Sequence, residues 1–288
     1  MTEEDPVPFR HITVAAAAEN PLGMIKDQMK PNAIRTTKYT LLNWLPKSVL
    51  EQFRRVANAY FLGISVLMIL GSYATYLFIS PLDPFSTIAT LTVILLITSC
   101  KEGYEDLLRR KSDKFENNRE VVVITFSKGE DGKVEVHETV KRSKKLKAGD
   151  IVKLSGKMPA PADMLLILTS LYNDGNKCYV ETANIDGETN LKLREAPSAL
   201  AMEVGQLIAE GIPVPELFQG TIDIEPPNAN IHKIVGTLHL EAAKNPVPID
   251  SNNIILRSAL FSNTDWAYGI VVYTGQETKI QMNSLHAP

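Results

Sequence analysis

Hydrophobic positions fall into two long unbroken blocks and then into short alternations. From Val56 to Leu82 no residue is charged, a run longer than the ~20 residues needed to cross a bilayer core. Pro81-Leu82-Asp83-Pro84 is a short breaker. A second uncharged run, Phe85 to Cys100, follows. It reaches spanning length when Lys101 extends its ammonium to the headgroups. The pattern predicts two transmembrane helices, about 56–79 and 85–101, folded as a hairpin. Arg54, Arg55, Lys101, Arg109, Arg110 and Lys111 flank the pair and no basic residue lies within it. That asymmetry predicts both flanks in the cytosol and the turn outside. Ala59, Gly63 and Gly71 give the first run a stripe of small residues that another helix can approach. The hydroxyls of the second run are expected to bond their own backbone.

The flanks are polar and patterned differently. Residues 1–30 open on Glu3-Glu4-Asp5, then prolines and an alanine run. No basic segment leads into an apolar core, so this is no signal peptide; a mobile cytosolic tail is expected. Residues 31–55 read as a membrane-entry segment, with Tyr39 and Trp44 at interfacial positions. Ser48 with Glu51 three residues on predicts a capped helix start. Residues 101–118 predict a charged helix leaving the membrane, with Glu105–Arg109 and Asp106–Arg110 as i,i+4 pairs.

From Arg119 the period drops to two. Strands are predicted at 120–126, 133–138, 164–168, 179–184, 254–256 and 268–273 and a turn and strand over 148–154, with a helix near 199–210 and Pro-rich connections around Pro213, Pro226 and Pro227. The fold class is thus a membrane helical hairpin carrying a compact β-rich cytosolic domain.

Composition narrows the chemistry. The net charge of −3 over 288 residues argues against a nucleic-acid partner bound through a basic surface. Cys100 and Cys178 lack partners at metal-ligand spacing, and His11, His137, His232, His239 and His286 are scattered, so no metal site is predicted. One polar stretch stands out: Tyr179 to Arg194, YVETANIDGETNLKLR. A β-prone lead-in breaks at Asp186-Gly187, a strong turn dipeptide, and places Glu188 at the tip beside Thr189 and Asn190. A carboxylate on such a tip can take a proton from an attacking water. Alone, DGE also reads as a solvated surface turn.

The longer string resembles the actuator-domain signature of P-type ATPases, in the form found in the phospholipid-flippase branch; ion pumps of that superfamily usually carry TGES where this chain has DGET. NAIRTTKYT, LPKSVLEQFRRVANAYFL, KEGYEDLLRRKSD, KAGDIV, PADMLLI, EPPNANIHKIVGTL and NTDWAYGIVVYTGQETKIQMNS resemble further segments of that branch, in family order, over about residues 31–284. The resemblance implies a distorted jelly-roll-like actuator domain over 119–284, with 285–288 as the approach to a third membrane helix. It implies an ATP-driven protein moving phospholipid to the cytosolic leaflet of the plasma membrane or an endomembrane. Glu188 would activate water against an aspartyl phosphate, Gly187 would allow close approach, and Asp186, Thr189 and Asn190 would shape the loop. ATP and Mg²⁺ would bind the phosphorylation and nucleotide domains of the parent pump, with an accessory membrane subunit as a further partner. Two departures stand out. Ser258 follows Ile254-Ile255-Leu256-Arg257 where the family commonly has glycine, and no DKTGT occurs in these 288 residues. The chain alone is therefore expected to be inactive. Two other readings are a non-catalytic regulator of a full-length pump and a cation-transporting member of the superfamily.

Overall fold

A computed structural model describes residues 9–14, 30–40, 42–73, 84–128, 134–198, 200, 220–240 and 245–285. The chain divides into two compact units, residues 35–115 and residues 1–34 with 116–288. The sequence predicts a tail at 1–30, a membrane-entry segment with its helices at 31–118 and the β-rich domain at 119–284.

The first unit is helical. α1 spans Trp44–Gln52, α2 Val56–Tyr73 and α3 Pro84–Asn118. Both expected spans are helical where described; the turn between them and residues 74–79 lie outside the described residues. In α2 and α3 only 11% of the most apolar window is buried. Val66, Leu67, Leu70, Ile94, Leu96 and Ile97 are exposed, which a helix of a soluble core would not tolerate. The second span and the charged helix are one element, because nothing after Cys100 breaks the helical ladder. Gly103 interrupts the good helix formers for a packing reason: a Cβ there would lie 2.6 Å from the Trp44 indole. Thr90 and Thr98 donate to the carbonyls of Ser86 and Ile94 at 2.9 and 2.8 Å, as expected.

The capped start at Ser48 is not found. α1 begins one turn earlier with Asn43 at its N-cap. Ser48 is buried within the helix and donates to Glu102 at 2.6 Å, while Glu51 accepts from the Tyr39 hydroxyl at 2.8 Å. Both capping groups are used by tertiary partners.

The second unit is β-rich. Its strands are β1 Arg10–Thr13, β2 Glu120–Lys128, β3 Val134–Arg142, β4 Ile151–Ser155, β5 Asp163–Thr169, β6 Lys177–Glu181, β7 Leu191–Glu195, β8 Gly220–Ile224, β9 Gly236–Leu240, β10 Val247–Ile249, β11 Ile254–Ile255, β12 Leu260–Ser262 and β13 Trp266–Tyr273. They form a six-stranded sheet β11-β5-β13-β4-β2-β3, a four-stranded sheet β1-β8-β9-β10 and a three-stranded sheet β12-β6-β7. The six-stranded sheet packs on both faces. Leu165, Ile167, Ile270 and Val272 meet Ile12, Ile222, Leu238 and Ile249 of the four-stranded sheet. Met164, Leu166, Val152 and Val271 meet Cys178, Val180 and Phe261 of the three-stranded sheet. β5 is buried at every position, so it reads as a continuous apolar run rather than an alternation.

The expected mobile tail over residues 1–30 is corrected at Arg10–Thr13. These residues pair antiparallel with β8, and Ile12 is fully buried. The expected helix near 199–210 lies, but for Leu200, outside the described residues.

A buried polar knot closes the domain. The Asn32 amide is fully buried; it donates to the carbonyls of Ser143 (3.2 Å) and Pro161 (2.8 Å) and accepts from Arg257 (3.0 Å) and the Gly275 N–H (2.8 Å). Asp163 accepts the N–H groups of Arg257 and Lys279 at 2.7 and 2.8 Å. Lys279, on the short helix α5 (Lys279–Leu285), is wholly buried. Its ammonium bonds Glu225, Asn228 and Asn230 at 2.9, 2.8 and 2.8 Å.

Two predictions follow from this packing. Ser258 sits at φ 65°, in the left-handed region, where a Cβ costs ~1–2 kcal/mol. Ser258→Gly should raise stability by about 0.5–1 kcal/mol once the unfolded-state entropy of glycine is subtracted, read as a higher Tm. Burial pushes the Asp163 carboxyl up to about 6 against two N–H donors and the Arg257 charge. A raised acid stabilises the fold below its ordinary value of 3.8 and loses that contribution as pH rises through about 6. Thermal unfolding from pH 4 to 7 should show this decline, and Asp163→Asn should flatten it.

Candidate functional site

The stretch singled out in the sequence is the connection of a hairpin. β6 and β7 pair antiparallel with Glu181 opposite Leu191 and Val180 opposite Lys192. Between them the chain leaves the ladder at Thr182 and makes one helical turn, α4, at Ala183–Asp186. Ile185 on that turn packs against both apolar cores, so the connection has an anchor in the domain. Gly187 ends the turn at φ 79°, ψ 0°, donating its N–H to the Ala183 carbonyl at 3.1 Å. This is the left-handed cap that glycine accepts without a Cβ penalty. A Cβ at Gly187 would have nothing within 4 Å. The tip is open to any surface that approaches it.

Asp186, which the resemblance implies would shape the loop, lies at the end of the helical turn. Its carboxylate accepts the Thr182 hydroxyl at 3.0 Å, the Glu188 N–H at 3.0 Å and the Lys192 ammonium at 2.5 Å. Lys192, and then the Glu188 N–H, hold the Asp186 carboxyl down to about 2. The same ammonium reaches Glu188 at 2.9 Å. Lys192 is in turn held above the usual lysine range, first by Asp186 and then by Glu188.

Glu188 has 61% of its side chain exposed, and Thr189 and Asn190 are exposed beside it. Asp186, Gly187 and Glu188 are thus brought together. The side chains of Thr189 and Asn190 share the tip but bond none of the other site residues. Lys192 is the site residue that sequence reasoning missed. Its signal was a basic residue four positions after Glu188. The intervening residues are not helical, so spacing alone could not pair them.

Among the described residues no group of three or more His, Cys, Asp or Glu is arranged to hold a metal ion. The histidines are less scattered than their spacing implied: His11 of β1 and His239 of β9 both contact Asp223 of β8, the latter at 3.3 Å. The arrangement at the 182–192 connection is that of an exposed carboxylate on a braced tip. Such a group can orient a water and accept its proton if a partner brings an electrophile to it.

Comparison with known proteins places this geometry in context. A family model described as the phospholipid-translocating ATPase N-terminal region matches residues 12–88. The chain is 41% identical over 257 residues to probable phospholipid-transporting ATPase 12 of Arabidopsis thaliana, covering 89% of this chain and 20% of that protein. It is 37% identical over 253 residues to phospholipid-transporting ATPase FetA of Mus musculus, covering 88% and 19%. It is 36% identical over 261 residues to phospholipid-transporting ATPase ID of Homo sapiens, covering 90% and 19%. The chain spans about one-fifth of the length of the curated relatives it matches. Two helices long and apolar enough to cross a membrane, a β-rich unit built from the residues before and after them, and this similarity along nine-tenths of the sequence agree: the chain belongs to the phospholipid-transporting ATPases and corresponds to their N-terminal region.

Proposed function

We propose that this chain forms the first membrane hairpin and the actuator domain of an ATP-driven phospholipid flippase. Its three β layers are read as the distorted jelly-roll-like actuator. Its hairpin is read as crossing the bilayer with both flanks cytosolic, supported by the basic residues confined to those flanks. The transported phospholipid, the phosphorylation and nucleotide domains and an accessory membrane subunit are its partners in this reading. ATP and Mg²⁺ supply the phosphoryl group and its charge neutralisation on those other domains.

The chemistry assigned to this chain is one half-reaction. Splitting hydrolysis through an aspartyl phosphate is covalent catalysis, and the second step needs an activated water. A water oxygen attacks phosphorus and its proton passes to the Glu188 carboxylate. The bond from phosphorus to the acyl oxygen breaks, and the aspartate departs as a carboxylate with inorganic phosphate released. The observation that carries this reading is the exposure of Glu188 on a tip whose backbone is fixed by Gly187 and Asp186. A carboxylate that is both exposed and positioned suits a partner arriving from outside the domain.

In the full-length ATPase carrying this segment, Glu188→Gln should form phosphoenzyme normally and lose it about 10²–10⁴-fold more slowly, the usual range for a positioned general base. Pulse labelling with radioactive ATP and a cold chase measures this directly. Wild-type decay in the variant would remove Glu188 from the reaction.

A further inference from the structure

We infer that Lys192 is a positioning residue for the dephosphorylation step. It holds the Glu188 side chain in one orientation through an anchor it shares with Asp186. This inference rests on the role proposed for Glu188 and adds to it the group that aims the carboxylate.

Glu188 is tied down at two points, and both lead to one carboxylate. Its backbone N–H donates to Asp186 at 3.0 Å. Its side chain meets the Lys192 ammonium at 2.9 Å, and that ammonium meets Asp186 at 2.5 Å. Asp186 is itself fixed by the Thr182 hydroxyl. The result is a closed ring running from Asp186 through the Glu188 backbone, its side chain and the Lys192 ammonium back to Asp186.

An isolated exposed ion pair contributes little, because two long side chains must be ordered to make it. Here that ordering is already in place. Lys192 is the second residue of β7, held in register opposite Val180, and its side chain is 31% exposed. Asp186 immobilises the ammonium whether or not Glu188 is bound. Glu188 therefore meets a fixed partner rather than a mobile one. Geometric preorganisation of this kind is worth large rate factors, since small misplacements of a reacting group are costly.

Leucines flank the lysine on its strand and point elsewhere. Leu191 and Leu193 are each 40% exposed, alternating with Lys192 along β7. The strand thus presents its cation toward the loop and its apolar side chains away from it.

The test uses three variants of the full-length ATPase carrying this segment, with phosphoenzyme decay as the readout, and carbon-13 carboxyl titration of this chain as a second measurement. Lys192→Met should form phosphoenzyme at the wild-type rate and slow its decay about 10-fold to 100-fold. Lys192→Arg should recover most of that loss, since it keeps a cation at the same place. Asp186→Asn should slow decay like Lys192→Met, and it serves in place of that variant if the methionine protein does not fold. In the titration, the Asp186 midpoint should climb from about 2 toward its ordinary 3.8 when Lys192 is methionine. The midpoint reports loss of the Lys192–Asp186 contact, and a residue that merely stabilised the domain would lower phosphoenzyme formation as well as decay. Slow decay in Glu188→Gln with wild-type decay in Lys192→Met overturns the inference and leaves the role of Glu188 standing. Slow decay in Lys192→Met with the Asp186 midpoint unmoved also overturns it. Wild-type decay in Glu188→Gln overturns both.

Discussion

The fully buried amide of Asn32 is the contact on which the β-rich unit depends. One side chain satisfies two carbonyls and two donors at once, those of Ser143, Pro161, Arg257 and Gly275. Each belongs to a different part of the chain. Removing the amide would strand buried polar groups on four segments, and each unsatisfied group costs about 1–3 kcal/mol. The surroundings confirm how tightly the knot is drawn. A Cβ at Gly275 would lie 2.9 Å from the carbonyls of Pro31 and Ala33. The Arg257 guanidinium is lowered to about 10 by its own burial, with Asp163 opposing that shift. The Asn117 side chain accepts the Ile34 N–H at 2.9 Å and donates to its carbonyl at 2.8 Å. Residues 30–34 and 116–119 are where the chain leaves and re-enters the unit, and 274–279 is a later connection within it. All three are tied within it.

That constraint leaves the six-stranded sheet free to be a scaffold. Burial on both faces makes it the most rigid layer, since close-packed interiors resist displacement. The three-stranded sheet packs on one of those faces through Cys178, Val180 and Phe261. Its outer strands, β7 and β12, leave the connection between β6 and β7 at the margin. A rigid base with a polar connection at its edge is the usual way that folds carry reacting groups. Ile185 marks the junction, because it touches both cores while a Cβ at Gly187, two residues on, would meet nothing within 4 Å.

The parts of the chain that were legible from its residues are those where local pattern and tertiary role agree. The uncharged runs are helical where described, Glu105–Arg109 and Asp106–Arg110 pair at 3.8 and 3.6 Å, and β5 was recognisable as an apolar strand. The exposed tip position of Glu188 was legible because a turn dipeptide precedes it. What was not legible depends on partners far along the sequence. β1 is four residues long with one buried position, and it is a strand only because β8, some 210 residues away, offers an open edge. β8 and β9 were hidden by Pro226 and Pro227, which sit in the connection between them. Lys192 was not singled out in the sequence, because its partners are brought to it by a left-handed turn rather than by helical spacing. Ser48 looked like a cap because nothing local reveals that Glu102 takes its hydroxyl.

A single chemical device recurs through both units and sets the site apart from it. Aspartate, with one methylene fewer than glutamate, is used to hold backbone N–H groups where no ladder can. Asp113 takes the N–H and hydroxyl of Thr36 at 2.8 Å each, and Asp106 takes the Lys38 N–H at 2.7 Å. These two, with Arg110 donating to the Tyr39 carbonyl at 2.8 Å, pin the extended run 36–39 along one face of α3. Asp150, Asp163, Asp186 and Asp250 each do the same within the β-rich unit. A short side chain loses little rotamer freedom in such a bond, and a charged acceptor makes it strong. Glu188 is built the other way. It is longer, more exposed, and held only through another side chain, so releasing it breaks no backbone contact. In the role proposed for Glu188, an acid that meets a partner and lets it go is the one whose departure leaves the fold intact.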